Sequence, residues 1–352
     1  MKAARLHAIN DFRADEVPVP KPSGKQLLLK VSACGICGSD IPRIFELGTS
    51  KGKYPLALGH EFGGEIVAVG EDADSGLIGK RGAVFPCIPC MKCASCITAD
   101  YAMCLDYDYL GSRSDGGFAE YCLIPSEWHF IESNNSDTTM EMLSMVEPCT
   151  VAQHAVRKGG LTAGNSLLIF GAGPIGIMAA RWAAVFGAGP VMLVDVLDEK
   201  VAFAAARGQH VINSMTSDVL EEFKKANNGR PPDIVIEGTG TGSALGQAID
   251  CVRTFGTVVM MGNPHKDTTT IRLSQHSNIL RKEITLQGIW NSHYAATPIN
   301  EWEYTVRMMD EGRMMVDDLV THRTGIAGLP KLCGDIYNKR VTICKALYNA
   351  EA

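Results

Sequence analysis

The chain has 352 residues, 46% of them hydrophobic and 20% charged, an ordinary globular composition long enough for two domains with real cores. Its net charge of −6 argues against a general nucleic-acid or anionic-membrane surface, so an anionic substrate would need local Arg or Lys. Residues 1–10 carry Lys2 and Arg5 but no apolar run, so no secretory signal is expected. The longest weakly charged stretch, 167–194, is broken by glycines, prolines and Arg181, which excludes a membrane span there. Twelve cysteines without a secretory signal point to the cytoplasm and to metal rather than disulfides.

The N-terminal part reads as β-rich, with short apolar runs at 27–32 and 65–70 bounded by Gly, Pro and charge. Two segments in it could supply a catalytic metal site: Cys34-Gly-Ile-Cys37-Gly-Ser39-Asp40 and Gly59-His60-Glu61. Cys37 and His60 would offer one sulfur and one nitrogen, a normal start for a zinc that keeps an open position. Further on, Cys90, Cys93, Cys96 and Cys104 follow C-x2-C-x2-C-x7-C. That spacing brings four thiolates within reach of one tetrahedral ion, as in a closed structural zinc site. A disulfide pair could use the same cysteines but needs an oxidising compartment.

Beyond residue 153 the pattern changes to alternating strands and helices. Strands are predicted at 166–170, 191–195, 210–213, 233–237, 256–262 and 283–290, and helices at 174–186, 198–207 and 243–253. This is the doubly wound parallel-sheet pattern. Gly171-Ala-Gly173-Pro174-Ile175-Gly176 lies between the first of these strands and its helix. Gly171 would make the tight turn, Gly173 admit a pyrophosphate and Gly176 let helix and sheet pack closely, with the phosphates on the helix N-terminus. Asp195 ends the next strand, placed to bind both ribose hydroxyls of NAD and repel a 2′-phosphate, or simply to cap the helix that follows. FAD and other nucleotide folds can use such glycines, so the chemistry must be read from elsewhere. The tail is mixed, with a helix predicted at 301–311, and is too short for a third domain.

The string Gly-His-Glu-x2-Gly-x5-Gly from Gly59 to Gly70, together with Cys37-Gly-Ser-Asp40, the cysteine lobe, Gly116-Gly-Phe-Ala-Glu-Tyr121, Glu147-Pro148 and the glycine motif, resembles the zinc-dependent medium-chain dehydrogenase/reductase superfamily. Segments 37–45, 107–118 and 279–290 are most similar to its polyol-phosphate branch. The resemblance implies an α/β chain: a GroES-like β-rich catalytic domain at 1–153 with a structural zinc lobe at 87–105, a Rossmann NAD-binding domain at 154–290, and a C-terminal return at 291–352. It implies two Zn²⁺ per chain and a catalytic set of Cys37, His60 and Glu147, with Glu61 able to exchange in and Cys149 a competing sulfur. Ser39 would carry the hydroxyl proton first, while Pro42 stands where many relatives place a relay histidine.

The implied activity is NAD-linked oxidation of a secondary hydroxyl of a polyol phosphate, such as galactitol 1-phosphate, to a ketose phosphate. The same-class alternative is an unphosphorylated polyol or diol (sorbitol, xylitol, butanediol) or arabitol phosphate. Arg43, Arg113 and His293 are the candidate phosphate contacts, each of which could otherwise be a solvated surface residue. The expected assembly is a homodimer or homotetramer in the cytoplasm, with a small-molecule substrate and neither nucleic acid nor membrane as partner.

Overall fold

Antiparallel pairing around the strand Leu27–Gly35 organises the first part of the structure, a computed structural model that describes residues 1–264 and 268–352. That strand, LLLKVSACG, is buried except at Lys30 and Ser32. It can be apolar at its other positions because it lies inside a seven-stranded sheet. The order across the sheet is Phe130–Glu132, Arg81–Val84, Glu61–Val69, Leu27–Gly35, Lys345–Asn349 and Val320–Thr324, with Tyr121–Ile124 also on Leu27–Gly35. Leu27, Leu29, Phe62, Ile66 and Phe118 form the centre of its core. The chain divides into two compact units: Met1–Pro148 with His293–Ala352, and Cys149–Ser292.

The C-terminal strands are latched to the helix Met140–Ser144 by one carboxylate. Glu141 accepts from Arg323 Nε and Nη2, each at 2.7 Å, and from Asn349 Nδ2 at 2.7 Å. The hydrogen bonds from Arg323 hold the Glu141 carboxyl below its ordinary value. A carboxyl lowered on folding contributes stability above its unfolded pKa and loses it as pH falls through the folded value. Arg323→Ala is therefore expected to cost about 1 kcal/mol at neutral pH, a solvent-screened bidentate pair. The difference from wild type should shrink below about pH 4. Urea unfolding at the two pH values measures it, and an equal deficit at both would refute the linkage.

The second unit holds six strands, all parallel, in the order Val211–Asn213, Val191–Asp195, Leu167–Phe170, Ile234–Glu237, Thr257–Met260 and Thr285–Gly288. This is the doubly wound dinucleotide-binding order, with the first strand at the centre and the order reversing beside it. Leu167–Phe170 and Ile234–Glu237 are buried at every residue, as central parallel strands covered on both faces must be. Each predicted strand of this unit forms. The last is shorter than the apolar run suggests because Glu283, at φ +48°, is still leaving the helix Leu273–Arg281. That helix and Val219–Ala226 were not predicted; both expose mostly polar faces, which blunts the apolar pattern. Among the described residues no helix is long and apolar enough to cross a membrane.

Candidate metal and dinucleotide sites

The register of two strands assembles the first site. Gly35 pairs with Glu61, so Cys37, just past one strand, and His60, just before the next, meet at the same sheet edge. Cys37, His60 and Glu61 each offer one ligand atom, and these atoms all lie within 4.8 Å of one another. One sulfur, one imidazole nitrogen and one carboxylate oxygen form a donor set that fits a three-ligand zinc. Ser39 is exposed, and its Oγ donates to Cys37 Sγ at 3.3 Å. Behind the imidazole, His60 Nδ1 lies 3.6 Å from Asp40 Oδ1, and both atoms are buried without a hydrogen-bond partner. Asp40 Oδ2 accepts from the Cys37 backbone N–H at 3.0 Å, so one carboxylate orients the loop of the first donor and faces the ring of the second.

Charge is concentrated in this place. Asp40, Glu61 and Glu147 are all buried, and Lys345 is a buried cation beside them. Three buried carboxyl groups thus surround one buried lysine, with the Cys37 sulfur beside them. Burial pushes Asp40 above its ordinary value and raises Glu147 to about 7. For His60, burial alone would lower the pKa, but the charges of Asp40 and Cys37 outweigh it and raise it to about 10. The pocket thus draws in positive charge, and a divalent ion fits its electrostatics as well as its donor atoms.

Glu147 stands outside the close donor group. Its Oε1 accepts from the Tyr109 hydroxyl at 3.2 Å, while its charge still acts on His60. The sequence resemblance ranked Glu147 ahead of Glu61 as third ligand; here Glu61 is nearer, because it follows His60 directly in the chain. Glu61 is itself engaged. Its Oε2 accepts from Lys345 Nζ, which also donates to the Ile36 carbonyl at 3.2 Å. A methyl group at Gly35 would overlap both Glu61 Oε2 and Lys345 Cε, so only glycine leaves room for the pair. Cys149 lies in the second unit, fully buried, its carbonyl accepting from Trp182 Nε1 at 2.8 Å and its thiol pushed up to about 12 by burial.

Sequence reasoning missed Lys345 and Tyr109. A single lysine opening the apolar run Lys345-Ala-Leu-Tyr348 was a usable sign of a buried cation. Nothing local distinguished Tyr109.

The three phosphate candidates separate. Arg113 is turned inward: Nη1 donates to the Tyr107 carbonyl at 2.9 Å and the guanidinium lies 3.8 Å from the Tyr107 ring centroid. His293 is tied to its own loop, with Nε2 2.8 Å from the Thr297 carbonyl. Arg43 begins the turn Arg43–Leu47, donates from Nη1 to Ser50 Oγ at 3.1 Å, and has a buried Nε without a hydrogen-bond partner. Arg43 and Arg113 each commit one guanidinium nitrogen to a protein acceptor, and of the three candidates Arg43 alone holds a buried nitrogen with no hydrogen-bond partner.

The lobe cysteines gather as one group, with sulfur separations of 3.5 Å for Cys93–Cys96 and 3.9 Å for both Cys90–Cys96 and Cys93–Cys104. A tetrahedron with Zn–S bonds of about 2.3 Å has edges of about 3.8 Å. None of the twelve cysteines is joined in a disulfide. Backbone N–H groups of Leu105 and Cys96 lower the Cys93 thiol to about 6, which favours the ligating thiolate.

In the second unit, Gly171 has φ +109° and turns the chain from strand to helix. A side chain at Gly176 would overlap the Gly171 carbonyl, whereas at Gly173 nothing lies within 4 Å. Gly173 precedes Pro174 and Ile175, which open the helix Pro174–Val185, so the open side faces the helix N-terminus, where an anion is favoured. Asp195 accepts from the backbone N–H of Ala172 at 2.9 Å, Val196 at 2.8 Å and Leu197 at 3.1 Å. It braces the glycine loop from the end of the neighbouring strand. The residues fit a dinucleotide.

Comparison with known proteins agrees with both units. Residues 23–133 match the alcohol dehydrogenase GroES-like domain and residues 174–311 the zinc-binding dehydrogenase domain. Galactitol 1-phosphate 5-dehydrogenase of Escherichia coli is 32% identical over 312 residues, 88% of this chain and 89% of that one. Sorbitol dehydrogenase of Bacillus subtilis is 32% identical over 322 residues, covering 90% and 89%. The crystal structure of the E. coli galactitol-1-phosphate dehydrogenase superposes with a TM-score of 0.90 at 30% identity, covering 99% of this chain and 100% of that one. A zinc-binding dehydrogenase of Sinorhizobium meliloti bound to NADP has a TM-score of 0.89 at 27% identity, covering 99% and 98%. An E. coli alcohol dehydrogenase complexed with NADH has 0.87 at 27%, covering 99% of each chain.

Proposed function

The chain belongs to the zinc-type alcohol dehydrogenase family and is an oxidoreductase acting on CH–OH donors; from that premise we propose that it oxidises a secondary hydroxyl of a polyol phosphate, galactitol 1-phosphate first among them, with NAD as hydride acceptor. The observation that carries this reading is Arg43, a guanidinium with spare donors a few residues from the metal-binding Cys37. The likeness to galactitol 1-phosphate 5-dehydrogenase over most of the chain supports it.

A zinc ion held by Cys37, His60 and either Glu61 or Glu147 would polarise the substrate hydroxyl as a Lewis acid and lower its pKa. Ser39 Oγ, exposed beside Cys37 Sγ, is placed to take the hydroxyl proton. Pro42 offers no onward relay, so water, Glu61 or the cofactor ribose would take the proton from there. Asp40 keeps His60 and the Cys37 loop oriented. NAD, when bound, would supply the hydride acceptor; Gly173 would admit its pyrophosphate and Asp195 would face its ribose and disfavour a 2′-phosphate.

Arg43→Ala is expected to raise KM for galactitol 1-phosphate about 10- to 100-fold, the worth of its charge-assisted hydrogen bonds. KM for galactitol itself should stay within a factor of about two. Steady-state kinetics on such matched pairs of phosphorylated and free polyols, with NAD and NADP in turn, test substrate and cofactor together. A second reading, oxidation of a free polyol, is favoured by two observations: the equal identity to sorbitol dehydrogenase, and the engagement of Arg113 and His293 by backbone carbonyls of their own loops. Faster turnover of the free member of every pair would establish it over the phosphate reading.

A further inference from the structure

The four-cysteine lobe is not an appendage. It is built on a very short β-ribbon, in which Cys87 pairs with Tyr109 and Ile88 with Asp108, and residues 89–107, with all four cysteines, lie between these strands. Two residue pairs cannot hold a loop of that length shut, because its closure entropy must be met by other contacts and an isolated two-stranded ribbon is marginal in water. The cysteine cage supplies the closure at the loop's mouth. Cys90 and Cys104 flank the ribbon, and the Cys90 backbone N–H points at Cys104 Sγ at 3.2 Å.

The far side of the same ribbon ends in the catalytic pocket. Tyr109 donates its hydroxyl to Glu147 Oε1 at 3.2 Å and sets its ring edge-on to His60, centroids 5.8 Å apart. Its backbone is pinned locally. The Tyr109 carbonyl accepts from the Ser112, Arg113 and Ser114 N–H groups at 3.2, 2.9 and 3.1 Å, and Asp108 Oδ2 accepts from Ser114 Oγ at 2.8 Å. Arg113 closes the turn over Tyr107. The base of the ribbon is tied to the sheet side, with the Leu110 N–H on the Pro86 carbonyl at 2.9 Å and the Phe85 N–H on the His129 carbonyl at 2.8 Å, while its open end is closed by the cage.

We propose that Tyr109 is a positioning residue that couples the lobe to the catalytic centre: metal in the four-cysteine cage fixes the ribbon, the ribbon fixes Tyr109, and Tyr109 holds Glu147 beside His60. This rests on the reading of Cys37, His60 and a carboxylate as a zinc site, and it adds a route by which the distant ion governs that site.

The test uses the full-length metal-loaded enzyme. Tyr109→Phe removes one hydroxyl and keeps the ring. The expected result is a fall in kcat of about 10- to 100-fold with KM nearly unchanged, the usual effect of losing an outer partner of a metal ligand. Release of the catalytic ion to a chelator should quicken about tenfold, while lobe metal content and melting temperature hold. With cobalt in the catalytic site, the thiolate-to-metal absorption should shift in Tyr109→Phe. It should shift the same way in Cys104→Ser, which opens the cage without touching Tyr109, and the double variant should go no further. If Cys104→Ser does not fold, brief chelation of the wild-type lobe replaces it. Unchanged kcat and chelator release in Tyr109→Phe would overturn the proposal, as would additive shifts in the double variant. Wild-type enzyme binding zinc only in the lobe would sink the metal reading as well, so the two failures are distinguishable.

Discussion

Cys37→Ala is expected to lower turnover about a thousandfold or more and to reduce bound zinc from about two ions per chain to about one. Cys37 is the only sulfur in the close donor group, and of the two ligands left, Glu61 is already paired with Lys345. A single imidazole and a committed carboxylate do not make a three-ligand site. Lewis-acid stabilisation is worth several kcal/mol, and each 1.36 kcal/mol is about tenfold in rate, which sets the size of the loss. The lobe has its own four sulfurs, so its ion should remain. Metal analysis beside steady-state kinetics measures both quantities. A variant that keeps about two zinc ions and wild-type turnover would remove Cys37 from the mechanism.

Lys345→Met is the second large effect, and it falls on stability. Lys345 and Glu61 are a buried ion pair, and the lysine also donates to the Ile36 carbonyl. Removing the cation leaves the Glu61 carboxylate in the interior without its partner, which costs about 3–5 kcal/mol. Replacing both partners is far cheaper, because no isolated charge remains. The Lys345→Met/Glu61→Gln double variant should therefore regain most of the loss, giving a strong coupling energy in a double-mutant cycle. Chemical denaturation of the four proteins provides the cycle. Additive losses would show that the two side chains act independently.

The parts legible in the sequence share one property: their determinants are contiguous. The parallel strands of the second unit declare themselves as unbroken apolar runs because both faces are covered. The glycine motif needs only one turn and the start of one helix. The cysteine spacing suffices for the lobe because the cage is built within a single loop. In the first unit strand lengths run from two to nine residues, several pairings carry register shifts, and partners lie far along the chain, which blurs the local pattern.

Cys37, His60 and Glu61 could be named in advance as residue types with the right chemistry, as could the four lobe sulfurs and the glycines that admit a dinucleotide. What the chain alone could not decide was which carboxylate stands with Cys37 and His60 and what holds the others. Lys345 reaches Glu61 across 284 residues because the last strand pairs with Leu27–Gly35. Tyr109 reaches Glu147 because a two-residue ribbon aims it there. Both contacts are consequences of strand register. Register is a cooperative property of the packed sheet, specified by which faces are buried together and not by any local run of side chains.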